Sequence, residues 1–133
     1  MIVLDTHALI WLDTADRRLG RKTRALIERQ WAENKVAVSA ISFWEAGMLG
    51  ERGRFRPAVP VAEWRIRWLD AGLLEFPLDG ATLIRALDLG VLPEDPADRF
   101  IAATALAEQA KLVTADEKIL AWPRAMVRHD ART

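Results

Sequence analysis

The chain has 133 residues and equal numbers of acidic and basic side chains, so its formal net charge is zero; 51% of it is hydrophobic and 29% charged. That is enough for one domain with its own core, expected to occupy residues 1–133, and the charge balance excludes the strong overall field of a general polyanion binder. With no cysteine, disulfides and thiolate metal sites are excluded and a reducing cytoplasm is expected; no apolar run approaches the ~18 residues of a membrane span, and Asp5 ends the first apolar run too early for a secretion leader.

Met1-Ile2-Val3-Leu4 is a short, fully apolar run of the kind that forms a central parallel strand. Asp5-Thr6 opens a short helix carrying Ala8 to Leu12, and Asp16 is placed to cap a longer one to about Asn34, with Leu19, Leu26, Ile27 and Trp31 inward. Val36 to Ser39 reads as a second strand. Ser42-Phe43-Trp44-Glu45 has the capping-box pattern for a helix to about Leu49, followed by a charged loop from Gly50 to Pro57. Val61, Trp64 and Trp68 share one face of the next helix, which Gly72 closes. Leu73 to Leu78 reads as a strand, at an edge because of Pro77. Asp79 caps a helix with Leu83, Ile84 and Leu87 inward, and Gly90 stops it. Asp95 and Pro96 take the N-cap and first positions of a helix to about Ala110, which puts Asp98 in its first turn. Lys111 to Thr114 is a short strand, Asp116 starts a helix holding Ile119, Leu120 and Trp122, and Ala125 to Val127 reads as a last strand before a polar tail. Strands alternating with helices predict an α/β three-layer sandwich around a central, mostly parallel sheet.

Four acids stand out in this arrangement. Asp5 and Asp116 follow strands, while Glu45 and Asp98 lie in first helical turns. In an open parallel sheet all these positions share one edge, where ligands bind. Taken singly, each acid suits a helix start. Four carboxylates in one cleft would repel one another and call for a cation or shifted proton affinities. Mg²⁺ takes carboxylate, water and phosphate oxygens, so the matching chemistry is metal-assisted phosphodiester hydrolysis.

The segments Met-Ile-Val-Leu-Asp5-Thr6-His7, Ser39-Ala-Ile-Ser42-Phe-Trp44-Glu45, Asp95-Pro-Ala-Asp98-Arg99 and Leu112-Val-Thr114-Ala-Asp116, in this order and spacing, resemble PIN-domain ribonucleases of the VapC toxin type. The resemblance spans nearly the whole chain. It implies an RNA endonuclease dependent on Mg²⁺ or Mn²⁺, toxic when free, restrained by a cognate antitoxin, and homodimeric. By position it makes Asp5, Glu45, Asp98 and Asp116 the catalytic acids. Asp5 and Asp98 would be direct metal ligands, while Glu45 and Asp116 would bind a second metal or orient water. Thr6 and Thr114 would steady the carboxylates through hydrogen bonds. Asp95 is read as a cap. The chain departs from many relatives at Leu92-Pro93-Glu94-Asp95-Pro96, where they carry a longer loop with a histidine.

His7 has no second histidine near it in sequence and is read as structural. Arg99 suits either a phosphate or an internal ion pair. Arg52, Arg54 and Arg56 beside Phe55 form either an RNA grip or a solvated loop. Trp64 and Trp68 suit a core or a partner surface. Two competing readings remain: a non-catalytic PIN-like interaction module in which the acids serve only as caps, and a phosphoacceptor receiver domain. The receiver wants an adjacent acidic pair after an early strand, which this chain lacks.

Overall fold

The computed structural model describes residues 1–90 and 95–133. The stretch 92–94, on which the resemblance departs from many relatives, lies outside the described residues. Five short strands form one sheet: β1 (Ile2–Leu4), β2 (Val36–Ser39), β3 (Leu74–Phe76), β4 (Lys111–Thr114) and β5 (Arg128–Asp130), in the spatial order β3-β2-β1-β4-β5, with every neighbouring pair parallel. The three inner strands are built on short apolar runs, Ile2–Leu4, Val36–Val38 and Leu112–Val113, because both of their faces are covered. β3, next to Pro77, is an edge strand, as the sequence predicts.

The period-2 geometry of a strand sends successive side chains to opposite faces, and the core divides accordingly. Ile2, Leu4, Val36, Val38 and Val113 point to one face, where they meet helices α1 (Thr6–Asp13), α2 (Arg21–Ala32), α3 (Ile41–Glu51) and α4 (Val61–Ala71) through Trp11, Leu26, Phe43 and Trp64. Val3, Ala37 and Leu112 point to the other, against α5 (Gly80–Leu87), α6 (Pro96–Ala107) and α7 (Glu117–Leu120) through Ala86, Ile101, Ala105 and Ile119. The result is the three-layer α/β sandwich around a parallel sheet that the sequence predicts. The Trp64 indole Nε1–H donates to Asp13 Oδ1 at 2.9 Å and its ring packs edge-on against Phe43 and Phe55. Trp68 meets Trp31 edge-on.

Several elements differ from the sequence expectation, each for a definable reason. The second helix begins at Arg21, not Asp16; Asp16 instead closes a turn by accepting from Arg18 N at 2.9 Å. Gly20 takes the N-cap because the backbone of Thr133 lies against it, so closely that a Cβ there would collide with that residue's carbonyl group. Gly20 N donates to Ala131 O and Lys22 N to Thr133 O, both at 2.9 Å. The last strand is Arg128–Asp130, three residues beyond the expected position, and the expected polar tail is fastened to α2, with His129 Nε2 2.8 Å from Thr23 Oγ1. Leu83, Ile84 and Leu87 face outward from α5, at 39%, 61% and 72% exposure; Ala86 and Leu89 fill the core instead. Gly72 closes α4 with φ +118°, as expected of a left-handed cap.

Candidate active site

Along the sheet the chain steps outward from β1 to β3, then returns to the other side of β1 with β4 and β5. The order reverses between β1 and β4, and the crevice at the carboxyl ends of those two strands is the natural ligand site of such a sheet. Asp5 follows β1 and Asp116 lies two residues past β4, so these acids flank the crevice. α3 follows β2 and therefore starts on this edge. α6 leads into β4 and runs antiparallel to it, which brings its N-terminus, with Asp95 and Asp98, to the same edge.

Asp5 is buried at 5% exposure and caps α1: its carboxylate accepts from Ala8 N at 2.8 Å and, through Oδ2, from Thr114 Oγ1 at 2.6 Å. Thr114 Oγ1 also accepts from Asp116 N at 3.0 Å, so one hydroxyl ties the two flanking acids together. Asp116 caps α7 by accepting from Lys118 N and Ile119 N. Thr6 Oγ1 and Ser42 Oγ share a hydrogen bond at 3.0 Å, both residues buried, and Thr6 also lies where its hydroxyl lowers the Glu45 carboxyl. The two threonines thus support acids on both sides of the crevice. Ser42 is not a cap: α3 already starts at Ile41 behind Ala40, whose backbone is helical, so the capping-box expectation fails and Ser42 serves as Thr6's partner. Asp95 is a cap, accepting from Ala97 N at 3.0 Å.

The electrostatics show the acids acting on one another. Burial raises the Asp98 carboxyl to about 7, and the charges of Asp95, Glu45, Asp116 and Asp5 add to the rise. Burial also raises Glu45, with Asp95 and Asp5 adding to it against the hydrogen bond from Thr6. Asp5 is raised because burial outweighs its hydrogen bonds from Thr114 and Ala8. Asp79 provides the contrast: an exposed N-cap, it is held below the usual carboxylate range by hydrogen bonds from Thr82. An acid present only to start a helix behaves as Asp79 does. Asp98 behaves in the opposite way.

Among the described residues, no three Asp, Glu or His side chains stand close enough to form a ready-made metal cage. The acids are gathered within electrostatic range rather than at chelating distance. Their chemistry nonetheless suits a hard divalent cation: all are oxygen donors, and each is a source of repulsion that a cation relieves. Asp95, read from sequence as a cap alone, is also the charge that acts most strongly on Glu45 and Asp98. Its place at the N-cap three residues before Asp98 was the available signal.

A cleft of about 600 Å³ opens beside the acids, with His7, Glu45 and Asp95 in its lining. His7 is exposed there. Arg99 faces away from the acids and donates to Ala86 O and Gly90 O, holding the end of α5. Phe55 is buried at 5% exposure against Trp64, so it stacks on no base.

A five-stranded parallel sheet between two helical layers, with acids at its switch point, places the chain in a recognisable class. Residues 2–124 match the PIN domain, and the chain belongs to the PIN-domain family. It is 32% identical over 119 residues to Ribonuclease VapC22 of Mycobacterium tuberculosis (strain ATCC 25618 / H37Rv), a match covering 89% of this chain and 88% of that protein. In fold it is similar to VapBC2 from Rickettsia felis bound to a DNA fragment from their promoter, with a TM-score of 0.71 and 18% identity over 97% of this chain and 98% of that one. It is likewise similar to a toxin-antitoxin complex from Klebsiella pneumoniae, with a TM-score of 0.64 and 17% identity over 98% of each chain.

Proposed function

We propose that the protein is a divalent-metal-dependent endoribonuclease, the toxin of a toxin–antitoxin pair, using Mg²⁺ or Mn²⁺ at the acidic crevice. The observation that carries this is the gathering of Asp5, Glu45, Asp98 and Asp116 at one edge of the sheet, where burial and the neighbouring acids raise the Asp98 carboxyl. Asp5 and Asp98 would hold the cation, and Glu45 and Asp116 would take a second ion or orient the attacking water. A bound cation in such a site supplies a more acidic water and stabilises charge on the phosphate. The protein's own part is positional. Thr114 donates to Asp5 Oδ2 and fixes that rotamer, while Ala8 N holds the other oxygen. Thr6 stands beside Glu45, and the hydrogen bond it shares with Ser42 holds its side chain in place. The N-terminus of α6 offsets part of the charge on Asp98.

The similarity to Ribonuclease VapC22 supports RNA as substrate, and the likeness to toxin–antitoxin complexes supports a cognate antitoxin as partner. The uncovered apolar residues of α5 support a homodimer. No helix among the described residues is long and apolar enough to cross a membrane, which accords with action in the cytoplasm. In a non-catalytic module the acids would remain only as caps, and capping accounts for Asp5 and Asp116. It does not account for Glu45, which lies beyond the first turn of α3, or for the raised Asp98. Antitoxin-free protein should cleave RNA with Mg²⁺ or Mn²⁺, stop with EDTA, and lose cleavage on Asp98→Ala while keeping its melting transition. Cleavage that survives Asp98→Ala, or no cleavage with either metal, would defeat the proposal.

A further inference from the structure

The cleft beside the acids has features that the acids do not explain. α3 and its C-cap contribute two adjacent stripes to it: Ile41, Glu45 and Leu49, then Trp44, Met48 and the C-cap Arg52, each spaced four residues apart. Trp44 is 61% exposed, whereas Trp11, Trp64 and Trp122 are at 7% or less. An exposed indole beside a carboxylate crevice serves no packing purpose. Arg52 and Arg54 line the same cleft. Among the described residues neither guanidinium has a carboxylate or carbonyl partner, while Arg65, Arg132 and Arg128 are committed to Glu75, Asp130 and backbone oxygens. The segment carrying them is well held. Arg52 N, Gly53 N and Arg54 N donate to Met48 O, Gly50 O and Leu49 O, Gly53 turns with φ +70°, and buried Phe55 pins the far side to Trp64. Arg52 follows Glu45 by seven positions, or about 10 Å along the helix axis.

We infer that this cleft is a groove for single-stranded RNA, in which the Trp44 indole stacks a base beside the cleavage point and Arg52 and Arg54 hold a phosphate farther along the strand. The inference rests on the nuclease reading and supplies what that reading lacks, a positive counterpart to an acidic centre that would otherwise repel its substrate. Aromatic faces accept any base and arginine pairs with phosphate in a fork, so the groove selects unpaired strands more than sequences. Trp44 and the arginines are positioning residues, since none touches the reacting atoms.

The test uses antitoxin-free protein and a short fluorescent single-stranded RNA, with binding followed by anisotropy on an Asp98→Asn background and turnover measured in the otherwise wild-type chain. Trp44→Ala should weaken binding roughly 5- to 150-fold, with Trp44→Phe restoring most of it. Arg52→Ala with Arg54→Ala, which removes the grip on one phosphate, should make the slope of log affinity against log salt shallower by about 0.7. In turnover these substitutions should raise KM far more than they lower kcat. Unchanged melting transitions would show that the variants fold. If the parent cleaves RNA and the substitutions leave KM, affinity and salt slope unchanged, the groove is overturned and the nuclease stands. If the parent binds single strands through Trp44 but cuts nothing with either metal, the nuclease reading falls and the groove stands. Tighter binding to duplex than to single strand, or loss of antitoxin binding with RNA binding intact, would also overturn the inference, the latter by giving the cleft to a protein partner.

Discussion

Asp98→Asn should stabilise the metal-free protein, and the gain should grow with pH. The folded chain holds the Asp98 proton up to about pH 7, whereas an unfolded aspartate releases it near pH 3.9. The folded state therefore binds more protons across that window, and stability is lost as pH rises from about 4 through about 7. Asparagine stays neutral throughout and escapes the loss. Between about pH 5 and pH 7, roughly two pH units at ~1.4 kcal/mol each bound the difference at ~2.7 kcal/mol. The carboxyl is only half-buried, and solvent screening reduces the expectation to ~1–2 kcal/mol, or about 3–7 °C in Tm for a chain of this size. Urea unfolding of both proteins in EDTA, at pH 5 and at pH 8, measures it. Glu45 and Asp5, raised in the same direction, make both proteins less stable at pH 8 but largely cancel in the difference. Adding Mg²⁺ at pH 8 should then raise the Tm of the wild type more than that of the variant. A stability difference that stays constant between the two pH values would refute the claim that burial and the neighbouring acids raise the Asp98 carboxyl.

Thr114→Val keeps a β-branched side chain in β4 but removes the hydroxyl that donates to Asp5 and accepts from Asp116 N. RNA cleavage should fall about 10- to 100-fold with little change in circular dichroism. Gly20→Ala would drive a Cβ into the backbone of Thr133; unfolding in urea should show a loss of ~1–3 kcal/mol, and the Lys22 amide should exchange faster. Leu87→Glu places a charge on the uncovered face of α5. If that face joins two copies, light scattering should show a shift from dimer to monomer with the fold retained.

What could be read in advance follows from how local each cause is. Val3, Val38 and Val113 sit in short apolar runs, and a strand covered on both faces can have no other composition. The helix closed by Gly72 and the one started by Asp95-Pro96 were legible because caps are written in two or three residues. The acids were legible only as an ordered set, since a carboxylate at a helix start has an innocent explanation each time. The failures are all cases where the cause lies far away along the chain. Nothing near Gly20 announces that Thr133 will press against it. Ser42 matches a capping box by spacing, but its partner is Thr6, 36 residues earlier. The stripe of Leu83, Ile84 and Leu87 reveals an apolar face without revealing what covers it. Phe55, read with the arginines as an RNA grip or a solvated loop, goes into the core instead, while Trp44 within α3 stays outside. Periodicity does not foretell the burial of Phe55, because it is decided by Trp64 on α4.

Helix α1 acts as a strut. Asp5 caps its first turn, and Asp13, its last residue, receives the Trp64 indole proton. Trp64 packs on Phe55, the anchor of the arginine segment. Together with α3, which leads from Glu45 to Arg52, these eight helical residues, about 12 Å of rigid rod, frame the gap between the acidic crevice and the arginine segment. That gap works as a gauge built into the framework. Exchanging surface side chains around the cleft would alter which strand the proposed groove takes, while the distance from the arginine segment to the crevice stays with α3, α1 and Trp64.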